Sequence, residues 1–148
     1  MKISVGCDHR GFELKKTIMK ALEARGHSVI DHGCYSEEMV DFPDVARAVC
    51  ASLLTGEAER GLMLCGSGVG AAIACNKVPG IRSTCIHDVY SAHQCVEHDN
   101  VNVACVGADV VGAVVALELI DLFLKAEFST DPDVRRRVQK LAQMDGSD

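Results

Sequence analysis

No run in this 148-residue sequence approaches 18 consecutive apolar residues, so no segment reads as a membrane span. An export signal is missing as well. Met1-Lys2-Ile3-Ser4-Val5-Gly6 turns polar at Cys7-Asp8-His9-Arg10, too early for the core of a signal peptide, and a cytoplasmic protein is the expectation. Cationic excess is lacking: 15 Lys+Arg face 21 Asp+Glu, a net charge of −6. That balance disfavours a general role on nucleic acid or on an anionic membrane. Tryptophan is absent, and there is neither a low-complexity stretch nor an internal linker. With 48% hydrophobic and 24% charged residues the composition is globular rather than disordered. The length predicts one domain spanning residues 1–148.

Cysteine is the residue not in short supply. Eight are present, yet no C-x-x-C occurs, which removes the commonest zinc and thioredoxin patterns. Five fall ten residues apart, at Cys65, Cys75, Cys85, Cys95 and Cys105. This spacing belongs to no standard metal site and reads as chance laid over alternating strands and helices. Most of the eight are expected to be small buried apolar residues; neither a metal nor a cofactor is expected.

Along the chain, strand and helix patterns alternate. Ile3–Cys7, Ser28–Asp31, Gly61–Cys65, Ile81–Ile86 and Val101–Val106 read as strands. Between them, Phe12, Leu14, Ile18 and Leu22 mark a helix ended by Gly26, and Asp41-Phe42-Pro43-Asp44 opens a second. A small-residue helix runs to Asn76, another from Val89 to Glu97, and a long apolar one from Val110 to Ala126. Ser129-Thr130-Asp131-Pro132 supplies a cap and a first-turn proline for a terminal helix over 132–144. This alternation predicts a single doubly wound (Rossmann-like) α/β domain, with a five-stranded parallel sheet and helices on both faces.

In open sheets of this kind ligands sit beyond the carboxyl ends of the strands. Those ends carry Cys7-Asp8-His9, Asp31-His32, Cys65-Gly66-Ser67, His87-Asp88 and Gly107-Ala108-Asp109. The loop Gly66-Ser67-Gly68-Val69-Gly70 is the sharpest feature. Its glycines let backbone N–H groups converge on an anion, helped by the following helix N-terminus. It also matches G-x-G-x-x-A with Asp88 about twenty residues on, which keeps a nucleotide-binding or redox module as the rival reading. No Gly-Lys-Ser/Thr follows, so it is not a triphosphate loop, and a plain tight turn has the same composition. Cys65, ending a strand just before this nest, has the electropositive setting of a reactive thiol, as base or nucleophile. Ser67 adds a hydroxyl beside it. Asp8-His9 ends the first strand in the same layer, although Asp8 also suits a helix cap. His98-Asp99-Asn100 would lie at the opposite edge and also reads as a surface turn. Arg135, Arg136 and Arg137 form the densest positive cluster, either a solvated helix face or an anion site.

Taken in order, these blocks resemble the ribose-5-phosphate isomerase B and galactose-6-phosphate isomerase family over roughly residues 3–141. The matching residues are Gly6-Cys7-Asp8-His9 with Gly11, Val29-Ile30-Asp31 with Gly33, and Asp41-Phe42-Pro43. Cys65-Gly66-Ser67-Gly68-Val69-Gly70 and Ala74-Cys75-Asn76-Lys77-Val78-Pro79-Gly80-Ile81-Arg82 continue the run. Tyr90-Ser91-Ala92, His98, Asn102-Val103, Gly107 and Val111-Gly112 complete it. The resemblance implies a metal-free aldose–ketose isomerase working through a cis-enediolate. Cys65 would be the base between C1 and C2, amides around Gly66, Gly68 and Gly70 would hold the enediolate, and Ser67 would contact the substrate oxygens. His98 would open the sugar ring, with Asp99 and Asn100 beside it, and Asp8 and His9 would orient hydroxyls. The family's site lies between two subunits, so a homodimer or dimer of dimers is implied.

Two family cations are missing. Many members carry arginine where this chain has Asp109, and Gly-Gly-Arg-His where it has Thr130-Asp131-Pro132-Asp133-Val134. Arg137 still aligns with a family arginine, and Arg10 and Arg136 are the replacements expected for the phosphate end. Ribose 5-phosphate to ribulose 5-phosphate is the expected reaction. The other substrates weighed are galactose 6-phosphate, a tetrose phosphate or an unphosphorylated sugar.

Overall fold

The structure, a computed structural model, describes residues 1–145; the last three of the expected domain, 146–148, lie outside the described residues. Five strands form one all-parallel sheet: β1 (Lys2–Cys7), β2 (Ser28–Asp31), β3 (Arg60–Cys65), β4 (Ser83–Cys85) and β5 (Val103–Gly107). Their order is β2-β1-β3-β5-β4. Six helices accompany them: α1 (Phe12–Ala24), α2 (Phe42–Leu54), α3 (Val69–Asn76), α4 (Val89–Asp99), α5 (Ala113–Lys125) and α6 (Pro132–Asp145).

Side chains alternate across a strand, and β3 divides its residues accordingly. Leu62 and Leu64 join a core with Ile18 and Leu22 of α1, Val96 of α4 and Phe123 of α5. Met63 and Cys65 face the other way, into a second core with Val49 and Cys50 of α2 and Ala71 and Cys75 of α3. Both faces of the sheet are thus covered, as the near-continuous apolar strands require. Cysteine behaves as the small hydrophobe expected: seven of the eight are buried, Cys85 is half-buried, and all are free thiols.

Among the boundaries that differ from the sequence reading, three have a clear local reason. β4 is shorter than 81–86 because Ile81 N–H closes a turn onto Val78 O, and Arg82 N–H donates to Asn102 Oδ1. α4 continues past Glu97 to Asp99, where Asn100 at φ 50° stops it. α5 begins three residues late because Val110 and Val111 N–H both donate to Gly107 O in a turn. At the terminal helix, Asp131 Oδ1 accepts from Asp133 N–H at 2.7 Å, the cap that the sequence announced.

The chain passes from β1 to β2 on one side and then to β3 on the other, so the strand order reverses between β1 and β3. That reversal opens a crevice at their carboxyl ends. One buried cation fixes its flank. Lys15, with a side chain 2% exposed, donates to Asp31 Oδ1 at 2.6 Å and to Cys34 O at 2.7 Å. The rings of Phe12 and Tyr35 lie within 5.9 and 5.2 Å of its Nζ. Lys15 therefore clamps α1 to the loop after β2. That loop in turn brackets Cys7, through Cys7 N–H to Gly33 O and Cys34 N–H to Cys7 O. Lys15→Ala leaves Asp31 and the Cys34 carbonyl without their cation, and should cost about 3–5 kcal/mol, read from the urea midpoint. A loss under about 1 kcal/mol, the range of an exposed pair, would contradict the clamp.

Candidate active site

Beyond the ends of β1, β3 and β5 lies a cavity of about 410 Å³ lined by Asp8, Cys65, Gly66, Ser67 and Gly70. Cys65 ends β3 and is 5% exposed. Its Sγ accepts the Gly68 N–H at 3.0 Å, an arrangement that supports negative charge on sulfur. Gly68 reaches this position at φ 83°, in the left-handed region that glycine enters without penalty. The next amide, of Val69, donates to Ser67 Oγ at 3.2 Å. Gly68 therefore serves the thiol rather than offering its N–H to a ligand. Ser67 N–H has no acceptor among the described residues and remains for an oxyanion.

The end of β5 holds this loop from behind. Ala108 N–H donates to Cys65 O at 2.7 Å and Asp109 N–H to Gly66 O at 3.0 Å. A β-carbon on Gly107 would stand 2.6–2.8 Å from the Ser67 backbone, so only glycine permits the approach. Gly107 N–H in turn donates to His87 Nε2 at 2.9 Å. His87 was visible in the sequence as a strand-end residue, but its tie to the β5 turn depends on β5 lying beside β4.

Asp8 serves two ends. Its Oδ1 accepts from Arg10 N–H at 2.9 Å and Gly11 N–H at 3.1 Å, capping the short 3₁₀ turn His9–Gly11, while the residue also lines the cavity. Capping the turn and lining the cavity are compatible for Asp8. His9 begins that turn half-buried, its Nδ1 buried without a hydrogen-bond partner among the described residues. Arg10 crosses the cavity rim to Asp109: Nε donates to Oδ2 at 2.8 Å, and Nη2 donates to the same oxygen. Phe42 and Val110 complete the wall, neither marked by its own chemistry in the sequence.

The other predicted residues lie elsewhere in the chain. His98 and Asp99 are exposed in the last turn of α4, and Asn100 caps it. Asp99 lines a separate, larger cavity of about 560 Å³ with Arg82 and Leu141, remote from the strand-end thiol. Arg136 and Arg137 are exposed on α6. Arg136 pairs with Asp133 one turn back, while Arg135 covers the Phe128 ring. A single chain thus joins Asp8, Arg10, Cys65 and the glycine loop, but not the His98 or Arg137 segments.

Cys7, Cys50, Cys75 and Cys95 are held neutral. Burial pushes Cys7 up to about 12 and Cys95 up to about 11. A thiol hydrogen bond with Cys75 raises Cys50, and one with Cys105 raises Cys75. Among the described residues no group of three or more His, Cys, Asp or Glu is placed to hold a metal ion.

Burial lowers His87 below its ordinary 6.5, consistent with a neutral ring that accepts from Gly107. Above pH 6.5 both folded and unfolded chains leave this ring neutral. Below it the unfolded chain takes up a proton that the folded one resists, so stability falls as pH drops through the folded value. His87→Gln keeps a carbonyl acceptor and cannot titrate. Its thermal midpoint should fall less steeply than wild type below pH 6.5; superimposable profiles would contradict this role.

Comparison with known proteins bears on the whole chain. The model of the family described as Ribose/Galactose Isomerase matches residues 3–141. Ribose-5-phosphate isomerase B of Escherichia coli is 42% identical over 86% of this chain and 85% of its own. D-erythrulose-4-phosphate isomerase 2 of Mycolicibacterium smegmatis is 39% identical over 99% of each. The solved structure of Clostridium thermocellum ribose-5-phosphate isomerase B superposes with a TM-score of 0.96 at 41% identity, covering 99% of this chain and 98% of that one. The chain belongs to the ribose/galactose isomerase family of aldose–ketose isomerases.

Proposed function

We propose that this enzyme interconverts ribose 5-phosphate and ribulose 5-phosphate, with Cys65 as the base. The observation that carries the assignment is the strand-end thiol receiving a glycine N–H at 3.0 Å beside a cavity that also holds Asp8 and Ser67. A proton on carbon next to a carbonyl is weakly acidic. Its removal needs a base in reach and donors for the displaced charge. In the forward direction the Cys65 thiolate takes the C2 proton of the open aldose, and the C2–H electrons form the C1–C2 double bond. The carbonyl electrons move onto O1, giving the cis-enediolate. The Ser67 amide and hydroxyl hold the oxygens while a proton passes from O2 to O1. Cys65 then returns its proton to C1, leaving the carbonyl at C2. Asp8 and His9 orient the hydroxyls. No cofactor enters the scheme.

Ring opening falls to His98, with Asp99 and Asn100 beside it, and phosphate contacts to Arg137 and Arg136, all delivered by a second copy of the chain. A homodimer or dimer of dimers gives the distant segments one site. Exposed Val69, Val89, Tyr90, Val110 and Val114 support this assembly, since they stand at the first turns of α3, α4 and α5 or beside them, on the edge where the cavity opens. Among the described residues no helix is long and apolar enough to cross a membrane, and a cytoplasmic enzyme of pentose phosphate metabolism fits the same picture. A four-carbon sugar phosphate is the second reading. It is favoured by the match to the Mycolicibacterium smegmatis protein along 99% of both chains.

Subunit mixing tests base and assembly together. Cys65→Ala and His98→Ala homo-oligomers, assayed for ketose formation from ribose 5-phosphate with a chelator present, should each keep less than about a tenth of wild-type kcat. Unfolding the two together and refolding the mixture should restore activity, because a mixed dimer holds one site with both residues intact. Activity retained in Cys65→Ala removes the base assignment; two inactive variants that do not complement remove the shared site.

A further inference from the structure

Asp109 stands where the family often keeps a phosphate-binding arginine, and a lone carboxylate there would repel the substrate. It is not alone. Both Nε and Nη2 of Arg10 donate to one of its oxygens, Oδ2. The pair runs from the turn after β1 to the turn after β5, directly over the loop that follows β3. A β-carbon at Gly66 would lie 2.8 Å from Arg10 Nε and 3.1 Å from Asp109 Oδ2. Asp109 is itself anchored, its N–H on Gly66 O at 3.0 Å. Without that carboxylate Arg10, whose side chain is 59% exposed, would have no side-chain hydrogen bond among the described residues to fix its rotamers. Of the five N–H donors of a guanidinium, only two are engaged by Asp109, and Arg10 lines the cavity.

We propose that Asp109 is a positioning residue that holds Arg10 across Gly66, making Arg10 the cation that this subunit contributes to the substrate's terminal phosphate, beside Arg136 and Arg137 of a second copy. The arginine thereby stands on the β1 side and the carboxylate on the β5 side, where the family often keeps its arginine. This inference rests on the cavity being a sugar-phosphate isomerase site, and it explains how an acidic residue at position 109 is compatible with an anionic substrate. Alone, Asp109 would oppose a phosphate; through Arg10 it orders the donors that bind one.

The two effects of Asp109 carry opposite signs, which makes the test decisive. Binding of inorganic phosphate is measured directly by calorimetry on wild type, Arg10→Ala, Asp109→Ala, Asp109→Asn and the double alanine variant. Loss of charge-assisted hydrogen bonds should weaken binding roughly 10- to 100-fold in Arg10→Ala. Asp109→Ala should weaken it in the same direction, Asp109→Asn should recover part of the loss through its amide oxygen, and the double variant should be no weaker than Arg10→Ala. With sugar phosphate the losses should fall mainly in KM. Removing a carboxylate that merely repels the anion tightens binding instead. Tighter phosphate binding by Asp109→Ala overturns the positioning role, and unchanged binding by Arg10→Ala overturns the choice of cation. Calorimetry does not require turnover, so an inactive enzyme would count against the isomerase assignment while leaving this outcome readable.

Discussion

The carboxyl edge of the sheet is organised by how closely β5 approaches the loop after β3. Gly107 sits against the backbone of Ser67 with no room for a β-carbon. The residues on either side are tied by Ala108 N–H to Cys65 O and Asp109 N–H to Gly66 O. These contacts fix the exit of the chain from Cys65, which turns Gly68 N–H onto the sulfur and leaves Ser67 beside it. His87 secures the same glycine from the β4 side, and Asp109 carries the constraint outward to Arg10. The placement of the strand-end thiol, of Ser67 and of the rim arginine is therefore a consequence of one backbone packing arrangement.

Much of this was legible in the sequence because it follows from local rules. Alternation of strand and helix patterns gave the parallel sheet, and the glycine-rich stretch after a strand gave the nest that faces Cys65. Asp131-Pro132 announced a helix start that the structure reproduces with a capping bond at 2.7 Å. The order in which the strands line up was not legible. β5 inserts between β3 and β4, and no local pattern encodes that choice. Every feature that depends on it escaped a linear reading: the His87–Gly107 bond, the Gly107–Ser67 contact, and the ion pair between residues ninety-nine positions apart. Phe42 was part of a recognisable block, yet its role as wall against Gly70 depends on α2 packing on α3.

The residues proposed for catalysis and binding fall into two groups within the subunit. Asp8 and Cys65 end adjacent strands at the topological switch point, where sequence and architecture agree. His98 and Arg137 are exposed on α4 and α6, and neither lines the cavity beside the thiol. Assembly resolves that separation in the proposed enzyme. Within a chain of net charge −6, Arg10 stands at the cavity rim and Arg135, Arg136 and Arg137 stand on α6.

Proton transfer by Cys65 is the central claim, and isomerisation of ribose 5-phosphate in heavy water tests it most directly. The proton that Cys65 holds exchanges in part with solvent before it is returned to carbon. Nuclear magnetic resonance should then find deuterium on a single face of C1 in the ribulose 5-phosphate formed, with the incorporation lost in Cys65→Ala. Turnover and deuterium incorporation undiminished in Cys65→Ala would contradict the account.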